Sequence, residues 1–503
     1  MLNAKHKRLW LARPGSAPPY FPLPVLRDRA SLLTVVGRWP EALATYRRGL
    51  EWALAGDDRL LTARSRTDLA AMLNQMGEND EAYGIASLAY DALRGSGDEF
   101  NRARAATTLG NVHYHRSEYP RAMEYFREGL DIARRTGDAM MACRALGRIG
   151  LLHYDMGENQ RSLEVLGEAL AAAERLGSPI LVATMCGNIG NAHLEQGRYQ
   201  EAMACYQRAY RESLRIGDKL STAFSEGNIA IIHQKQGRYA EAIEWTMRQY
   251  RALREIGDRV NLAVALLNLG STHLDMGETD LALRRYDEVI SLARANRDKP
   301  ILSYVLYLTA TVHQERGRPD EAERLLREAI EVAAEIGFNH YLCAYQARLA
   351  RQCVERGDPD KAAPLSATAR DLADKAGRAD VLFDLKVTEV LAAGGTPAEA
   401  AARLAPLAGT APDPEQEADL LLRLFRLTGD PARRQAAAQA YLALYRELPK
   451  HAFKRALAEL GEQPAGPHDG AAAARVRQHP AVPARGVPGG GVQEAGGCGM
   501  SDR

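Results

Sequence analysis

The chain has 503 residues, with 65 lysines and arginines against 64 aspartates and glutamates, so its formal net charge is +1. This balance argues against a nucleic-acid-coating protein and against a polybasic membrane-surface protein, since both carry a basic excess. Aromatic residues make up only 6% of the chain, which is low for an all-β protein. The six cysteines are scattered without CxxC spacing, and neither a secretory signal nor a transmembrane segment is recognisable. We therefore expect a cytoplasmic protein in a reducing compartment.

The chain begins with a proline-rich stretch, and residues 1–25 are predicted to form an N-terminal linker. Such a start would suit a piece of a longer signalling protein. A regular array is predicted to follow over residues 26–378, because glycine recurs there every 40 residues. This series consists of Gly37, Gly77, Gly157, Gly197, Gly237, Gly277, Gly317 and Gly357, with Ser117 in the gap.

A second glycine series lies 20 residues out of phase with the first and runs from Gly97 to Gly377, with Arg297 as an exception. Two glycines in each 40 residues divide the unit into two helices, because glycine after a helix end adopts the left-handed conformation at little cost. In a central unit, 180–195 is predicted as helix A and 199–215 as helix B. Aspartates that follow the second glycine are expected to cap helix A, namely Asp98, Asp138, Asp218 and Asp258.

Small residues recur on both helices in the same 40-residue register. Helix A carries glycine or alanine, as at Gly190, and helix B carries alanine twelve residues later, as at Ala202. An aromatic residue often follows the helix-B alanine by four residues, as Tyr206 does. A small residue on each helix lets the two helices approach closely. Each pair can bury its apolar face only by stacking on its neighbours, so the pattern predicts a solenoid.

This pattern resembles the tetratricopeptide repeat (TPR), whose usual unit is about 34 residues long. The longer 40-residue unit is similar to the Leu-Gly-Asn (Pins-type) adaptors and to bacterial TPR signalling proteins, and the triplet itself occurs at Leu109–Asn111. The resemblance implies an all-α fold, a right-handed TPR superhelix of about nine to eleven helix pairs. It also implies protein binding in a concave groove.

The regular spacing fails after Gly377. Residues 379–460 are predicted to form degenerate helical repeats and a cap, since the end repeats of a solenoid are atypical. Residues 461–503 are rich in glycine, proline and alanine and are predicted to be disordered. Two interpretations of this tail stay open, a flexible interaction tail and a spurious or frame-shifted end.

Histidine also recurs every 40 residues, at His113, His153, His193, His233, His273 and His313. A metal site or a proton relay is one interpretation. Packed helices lie roughly 8–10 Å apart, however, whereas zinc ligands lie about 2 Å from the ion. A structural role is therefore favoured. Because imidazole titrates near pH 6, the series could still make stability depend on pH.

The candidate binding site consists of polar residues on the A helices, which line the concave groove in TPR–peptide complexes. Asparagine suits this role because its amide both donates to C=O and accepts from N–H, and arginine can receive a carboxylate bidentately. The alternative is that some of these amides only join neighbouring helices. The candidates are Asn111, Arg148, Asn188, Asn191, Asn228, Lys235, Asn268, Arg348 and Arg351.

Motifs of catalysis are missing from the sequence, which has no P-loop, no HExxH and no GxSxG. We therefore expect that the chain is not an enzyme and that it binds no cofactor and no metal. We also expect no nucleic-acid partner and no insertion into a membrane. The predicted function is that of a scaffold or adaptor, acting in signalling, that binds a protein or peptide partner. The alternative is a regulatory or sensor portion of a larger kinase, cyclase or transcription activator that responds to a peptide or small ligand. The oligomeric state stays open.

Overall fold

A computed structural model describes residues 23–35, 38–116 and 118–464 of the chain. Most of the predicted linker and most of the predicted tail, as well as Gly37 and Ser117, lie outside the described residues. Within these ranges the secondary structure consists of α-helices and one short 3-10 turn, without a strand. None of these helices combines the length and apolarity that crossing a membrane would require. The predicted all-α class is confirmed.

In the described residues, the first eighteen helices form nine consecutive pairs of a helix A and a helix B. They are α1 Leu23–Val35, α2 Trp39–Ala55, α3 Arg59–Gln75, α4 Asn79–Leu93, α5 Glu99–His115, α6 Tyr119–Thr136, α7 Ala139–Asp155, α8 Asn159–Arg175, α9 Pro179–Glu195, α10 Tyr199–Ile216, α11 Lys219–Lys235, α12 Tyr239–Ile256, α13 Arg259–Asp275, α14 Thr279–Asn296, α15 Lys299–Glu315, α16 Pro319–Glu335, α17 Asn339–Glu355 and α18 Pro359–Ala376. Five further helices follow: α19 Ala379–Ala392, α20 Pro397–Leu404, α21 Pro414–Thr428, α22 Pro431–Glu447 and α23 His451–Glu459.

The helix ends lie where the glycine period predicts them, and the predicted helices 180–195 and 199–215 match α9 and α10 to within one residue. Gly217 ends α10 with a φ of +70°. Arg297, the exception in the series, adopts the same left-handed conformation with a φ of +56°. The aspartate caps are also confirmed, since each carboxylate accepts from the backbone N–H three residues later, at 3.3, 2.9, 3.0 and 3.0 Å for Asp98, Asp138, Asp218 and Asp258.

The described chain forms two compact units. The first comprises residues up to Ser225 together with Glu255–Gly257, and the second comprises Glu226–Arg254 and the residues from Asp258 onwards. The predicted division after residue 378 lies inside the second unit. The reason is that α19 packs on both α17 and α18, so that the irregular helices continue the stack.

Each helix pair is packed around the small residue of helix A and the residue that lies sixteen positions later on helix B. A Cβ atom on Gly110, Gly150, Gly190 or Gly270 would come within 2.4–2.6 Å of a side-chain atom of Phe126, Leu166, Tyr206 or Tyr286, respectively. Where helix A carries Ala70, Ala230, Ala310 or Ala350 instead, the residue sixteen positions later is Ala86, Thr246, Leu326 or Ser366. Phe126, Tyr206 and Tyr286 thus lie opposite glycine, whereas in the first pair the residue sixteen positions after Ala30 is Tyr46.

The A helices form the inner layer of each unit. Besides the contacts within pairs, A helices of successive repeats contact each other, as α3 does with α5, α7 with α9, and α13 with α15. Successive B helices approach each other less. The side of each A helix that faces the next A helix therefore forms the candidate binding surface.

The recurring histidines divide into two classes according to the residue five positions later. The Nδ1 atoms of His113, His153 and His273 lie 2.7, 2.7 and 2.6 Å from a glutamate oxygen, of Glu118, Glu158 and Glu278, respectively. In the other class an arginine takes the place of the glutamate, and Nδ1 has no hydrogen-bond partner, as in His193, His233 and His313. Burial lowers the pKa of these three imidazoles below 6.5. Within the described residues, no group of three or more side chains could hold a metal ion.

Stability is expected to decrease as the pH falls from about 7.5 to about 5.5. The pKa of His193, His233 and His313 is lower in the folded protein than its ordinary value, so the unfolded chain takes up protons first when the pH drops through 6.5. Above about pH 7.5 these three histidines are neutral in both the folded and the unfolded chain, so they add no pH dependence to the stability. A triple variant with glutamine at these positions should show a flatter dependence of melting temperature on pH. A slope equal to that of the wild type would contradict this explanation.

Candidate functional site

A stripe of partly buried and exposed side chains runs along each A helix at intervals of three and four residues, which places them on one helix face. On α9 it consists of Thr184, Asn188, Asn191 and Glu195. We call the equivalent residues of all A helices the inner stripe. These residues lie six and two positions before the small residue of helix A, and one and five positions after it. Hydrogen bonds between successive A helices reach this stripe, as when the Tyr114 hydroxyl donates to Asp155 at 2.5 Å.

All nine candidate residues lie on the inner stripe. Four belong to the first unit, and five belong to the second. Lys235 is exposed, and the other eight are partly buried. The candidates of the first unit are Asn111, Arg148, Asn188 and Asn191, and those of the second are Asn228, Lys235, Asn268, Arg348 and Arg351.

The asparagines of the stripe differ in whether their amides are used inside the protein. The side chains of Asn111, Asn188, Asn228 and Asn268 donate and accept no hydrogen bond among the described residues. Asn191, in contrast, accepts a hydrogen bond of 2.7 Å from the Tyr206 hydroxyl. The alternative structural role therefore applies to Asn191, and four amides have unused hydrogen-bonding groups on the inner layer.

The inner stripe of the first unit contains a cation beside a neutral imidazole. Arg148 on α7 makes no ion pair with a described residue. Desolvation by the surrounding A helices, together with the nearby Arg148 charge, lowers the pKa of His115 to about 4, although part of the His115 side chain is exposed to solvent. Burial and the Asp155 carboxylate raise the pKa of Tyr114, so this residue is a hydrogen-bond donor at neutral pH. The guanidinium of Arg148 is thus available to an external carboxylate or carbonyl.

The inner stripe of the second unit is acidic at the position five residues after the small residue, where Asp275, Glu315 and Glu355 recur. Gln234 donates to Asp275 at 2.8 Å, and Gln314 donates to Glu355 at 3.2 Å. Burial raises the pKa of Asp275. These three carboxylates form a row along successive A helices, because they occupy one register position.

Arg348 and Arg351 line a cavity of about 130 Å³, together with Glu355 and with Arg423 from α21. Arg351 forms an ion pair of 2.8 Å with Asp384 on α19. Burial and the Arg351 charge lower the pKa of Arg423. These two candidate residues therefore lie against the C-terminal helices of the chain.

The C-terminal helices contact the inner stripe, which was not predicted from the sequence. Arg455 on α23 lies 3.2 Å from Glu315 on α15, although the two residues are 140 positions apart. The spacing of the helices after Gly377 is irregular, so no periodic signal relates α23 to a particular repeat. The charge pattern offers the only sequence signal, since a basic segment at 450–455 complements the row of carboxylates.

Comparison with known proteins identifies the repeats. A family model described as tetratricopeptide repeat matches residues 67–135, 140–212 and 220–295, and a second model of the same description matches residues 303–328. No curated protein sequence matches the chain. The resemblance to the Leu-Gly-Asn adaptors in particular stays a prediction.

Solved structures that match the chain share little sequence with it, and their TM-scores lie below 0.5. The apo form of the quorum sensor NprR from B. thuringiensis is 15% identical, with a TM-score of 0.48 over 69% of this chain and 97% of that one. A Rap protein complexed with competence and sporulation factor is 13% identical, with a TM-score of 0.46 over 68% and 99%. Aspartyl phosphate phosphatase F from Bacillus subtilis is 14% identical, with a TM-score of 0.46 over 71% and 96%. The family models and the helix pairs show that the chain contains tetratricopeptide repeats with a 40-residue period.

Proposed function

We propose that this chain is a cytoplasmic scaffold or adaptor that binds a segment of a protein partner along the inner stripe of its A helices and acts in signalling. The observation that carries the proposal is that four partly buried asparagines, Asn111 and Asn188 in the first unit and Asn228 and Asn268 in the second, have no hydrogen-bond partner among the described residues. An amide in such a place gains most from a ligand that offers both a carbonyl and an N–H group, and an extended peptide backbone does so.

In the first unit, some residues would bind the main chain of the peptide and another would bind one of its side chains. Asn111 on α5 and Asn188 on α9 would bind carbonyl and N–H groups of the peptide backbone. Arg148 on α7, between them in chain order, would bind a carboxylate bidentately, because it makes no ion pair with a described residue. We therefore expect a partner segment that carries an acidic side chain opposite α7.

A selection from random linear peptides displayed on phage tests this proposal. A peptide enriched on the wild-type chain should bind the double variant Arg148→Ala/Asn188→Ala about 100-fold more weakly, because one charge-assisted and one neutral hydrogen-bonding group are lost. Affinity can be measured by fluorescence anisotropy with the labelled peptide.

The matched control is Arg127→Ala, which removes an exposed arginine from helix B of a neighbouring repeat. It should leave the affinity unchanged, and both variants should keep the helicity of the wild type. Equal affinity of the double variant and the wild type for every enriched peptide would overturn the proposed site. The absence of any enriched peptide would overturn the binding function as stated.

A further inference from the structure

The chain segment before and within α23 lies against two turns of the second unit. A Cβ atom on Gly237 would come within 2.5 Å of the Pro449 ring, and one on Gly277 would come within 2.4 Å of the His451 ring. At the equivalent turns of the next two repeats, Gly317 and Gly357, the same atom would meet open space. The C-terminal segment therefore follows the A-helix ends of two particular repeats.

Charged side chains extend this contact along the row of inner carboxylates. Arg455 of α23 pairs with Glu315 at 3.2 Å, and Arg423 of α21 lies 3.9 Å from Glu355. Lys450, which precedes α23, acts on Asp275, where its charge opposes the effect of burial on the carboxyl pKa. Glu315 and Glu355 thus each pair with an arginine of the C-terminal helices, whereas Asp275 is influenced by Lys450, whose own ion pair is with Glu415 at 3.1 Å.

The apolar side of α23 is not what holds it to the repeats. Phe453 and Leu457 are buried in a separate cluster with Leu422 and Tyr441 of α21 and α22. Among the described residues, the segment contacts the repeats at the two glycine turns and through ion pairs, of which Arg455–Glu315 is 55% and 36% exposed. Ion pairs of this exposure contribute little to stability and weaken with salt. The segment is therefore held to the stripe by contacts that a competitor can replace.

We propose that Pro449–Arg455 is an internal ligand of an acidic binding site formed by Asp275, Glu315 and Glu355, and that the site takes a basic helical segment of a partner protein in its place. The occupant is identified by charge complementarity, since the internal segment carries Lys450, Lys454 and Arg455 within six residues. This site lies in the second unit and favours a basic partner. It is thus separate from the peptide site proposed for the first unit, and either can exist without the other.

Hydrogen exchange of α23 in the full chain tests whether the inner stripe holds the segment. Gly277→Ala should displace His451, and α23 amides should exchange about tenfold faster than in the matched control Gly357→Ala. The control carries the same backbone strain, because the two glycines have φ values of +83° and +81°, but its Cβ meets open space. Arg455→Glu should likewise speed exchange relative to Lys454→Glu, whose side chain forms no ion pair among the described residues.

A charge swap separates the ion pair from a general loss of structure. Glu315→Arg combined with Arg455→Glu should restore slow exchange of α23, whereas either change alone should not. Equal exchange in Gly277→Ala and Gly357→Ala would overturn the internal contact at the turn. Failure of the swap to restore protection would overturn the role of the ion pair.

A synthetic peptide of residues 446–462 probes whether the site can take a second occupant. It should bind Gly277→Ala at least about tenfold more tightly than wild type, because the internal segment no longer fills the site. A peptide with glutamate at positions 450, 454 and 455 should not bind. Adding Glu315→Arg should abolish binding of the basic peptide, and unchanged binding there would overturn the acidic site. Arg148→Ala/Asn188→Ala should not alter it, so failure of either proposal can be recognised separately.

Discussion

Gly190→Ala is expected to destabilise the first unit by about 2 kcal/mol, whereas Gly187→Ala on the same helix is expected to stabilise it by about 1 kcal/mol. Both changes give α9 a residue with better helix propensity. At position 190, however, the new Cβ would lie 2.4 Å from the buried Tyr206 ring, and at position 187 it would meet open space. The Tyr206 ring is fully buried, and its hydroxyl is fixed by Asn191, so it has little room to move.

Native-state hydrogen exchange of α9 and α10 measures this difference locally, which matters because a repeat array need not unfold in one step. Tyr206→Ala in the Gly190→Ala background should cost less than Tyr206→Ala alone, since the added methyl group fills part of the space that the ring leaves. Stabilisation by both glycine variants would show that the close approach of the two helices is not limiting.

Asp384→Ala is expected to destabilise the second unit by about 3 kcal/mol, because it leaves Arg351 largely buried without its counter-charge. The Arg351 side chain is only 13% exposed, and Arg423 lines the same cavity. Removing both charges by Asp384→Ala/Arg351→Met should recover most of the loss.

Hydrogen exchange of α17 and α19 amides provides the measurement for this second result. Asp374→Ala on α18 is a suitable control, since that carboxylate is exposed and makes no ion pair with a described residue. If Asp384→Ala were no more destabilising than Asp374→Ala, Arg351 would have to be free to reach solvent or another partner. Arg351 would then be available to bind a ligand in the groove.

The regular array could be predicted from the sequence because its helix ends depend on local chemistry. Gly217 and Asp218 illustrate this, since a left-handed glycine and an aspartate cap act on the nearest turns alone. The two compact units were not predicted, because their division depends on contacts between whole helices. The helices α19–α23 were expected to form degenerate repeats and a cap. Their contact with the inner stripe depends on pairs such as Arg455–Glu315, and the repeat period does not predict such pairs.

The helix face that carries the candidate site could be predicted from the sequence, but the hydrogen-bonding state of each of its residues could not. Intervals of three and four residues place Asn188 and Asn191 on one stripe, as expected for a helix. Whether an amide is used internally depends on the residue opposite, and Tyr206 engages Asn191 alone. The two histidine classes could have been distinguished beforehand, since glutamate follows His113 by five residues whereas arginine follows His193.

The match between glycine on helix A and a bulky residue on helix B limits how such an array can be rearranged. Gly190 and Tyr206 both lie between the turns at Gly177 and Gly217, so a segment exchanged or duplicated between those turns carries both members of the match. A recombination point at Gly197 would separate them and could place a tyrosine opposite an alanine such as Ala230. Growth of the array by duplication is therefore expected to keep matched residues together when it begins and ends at the turn before helix A.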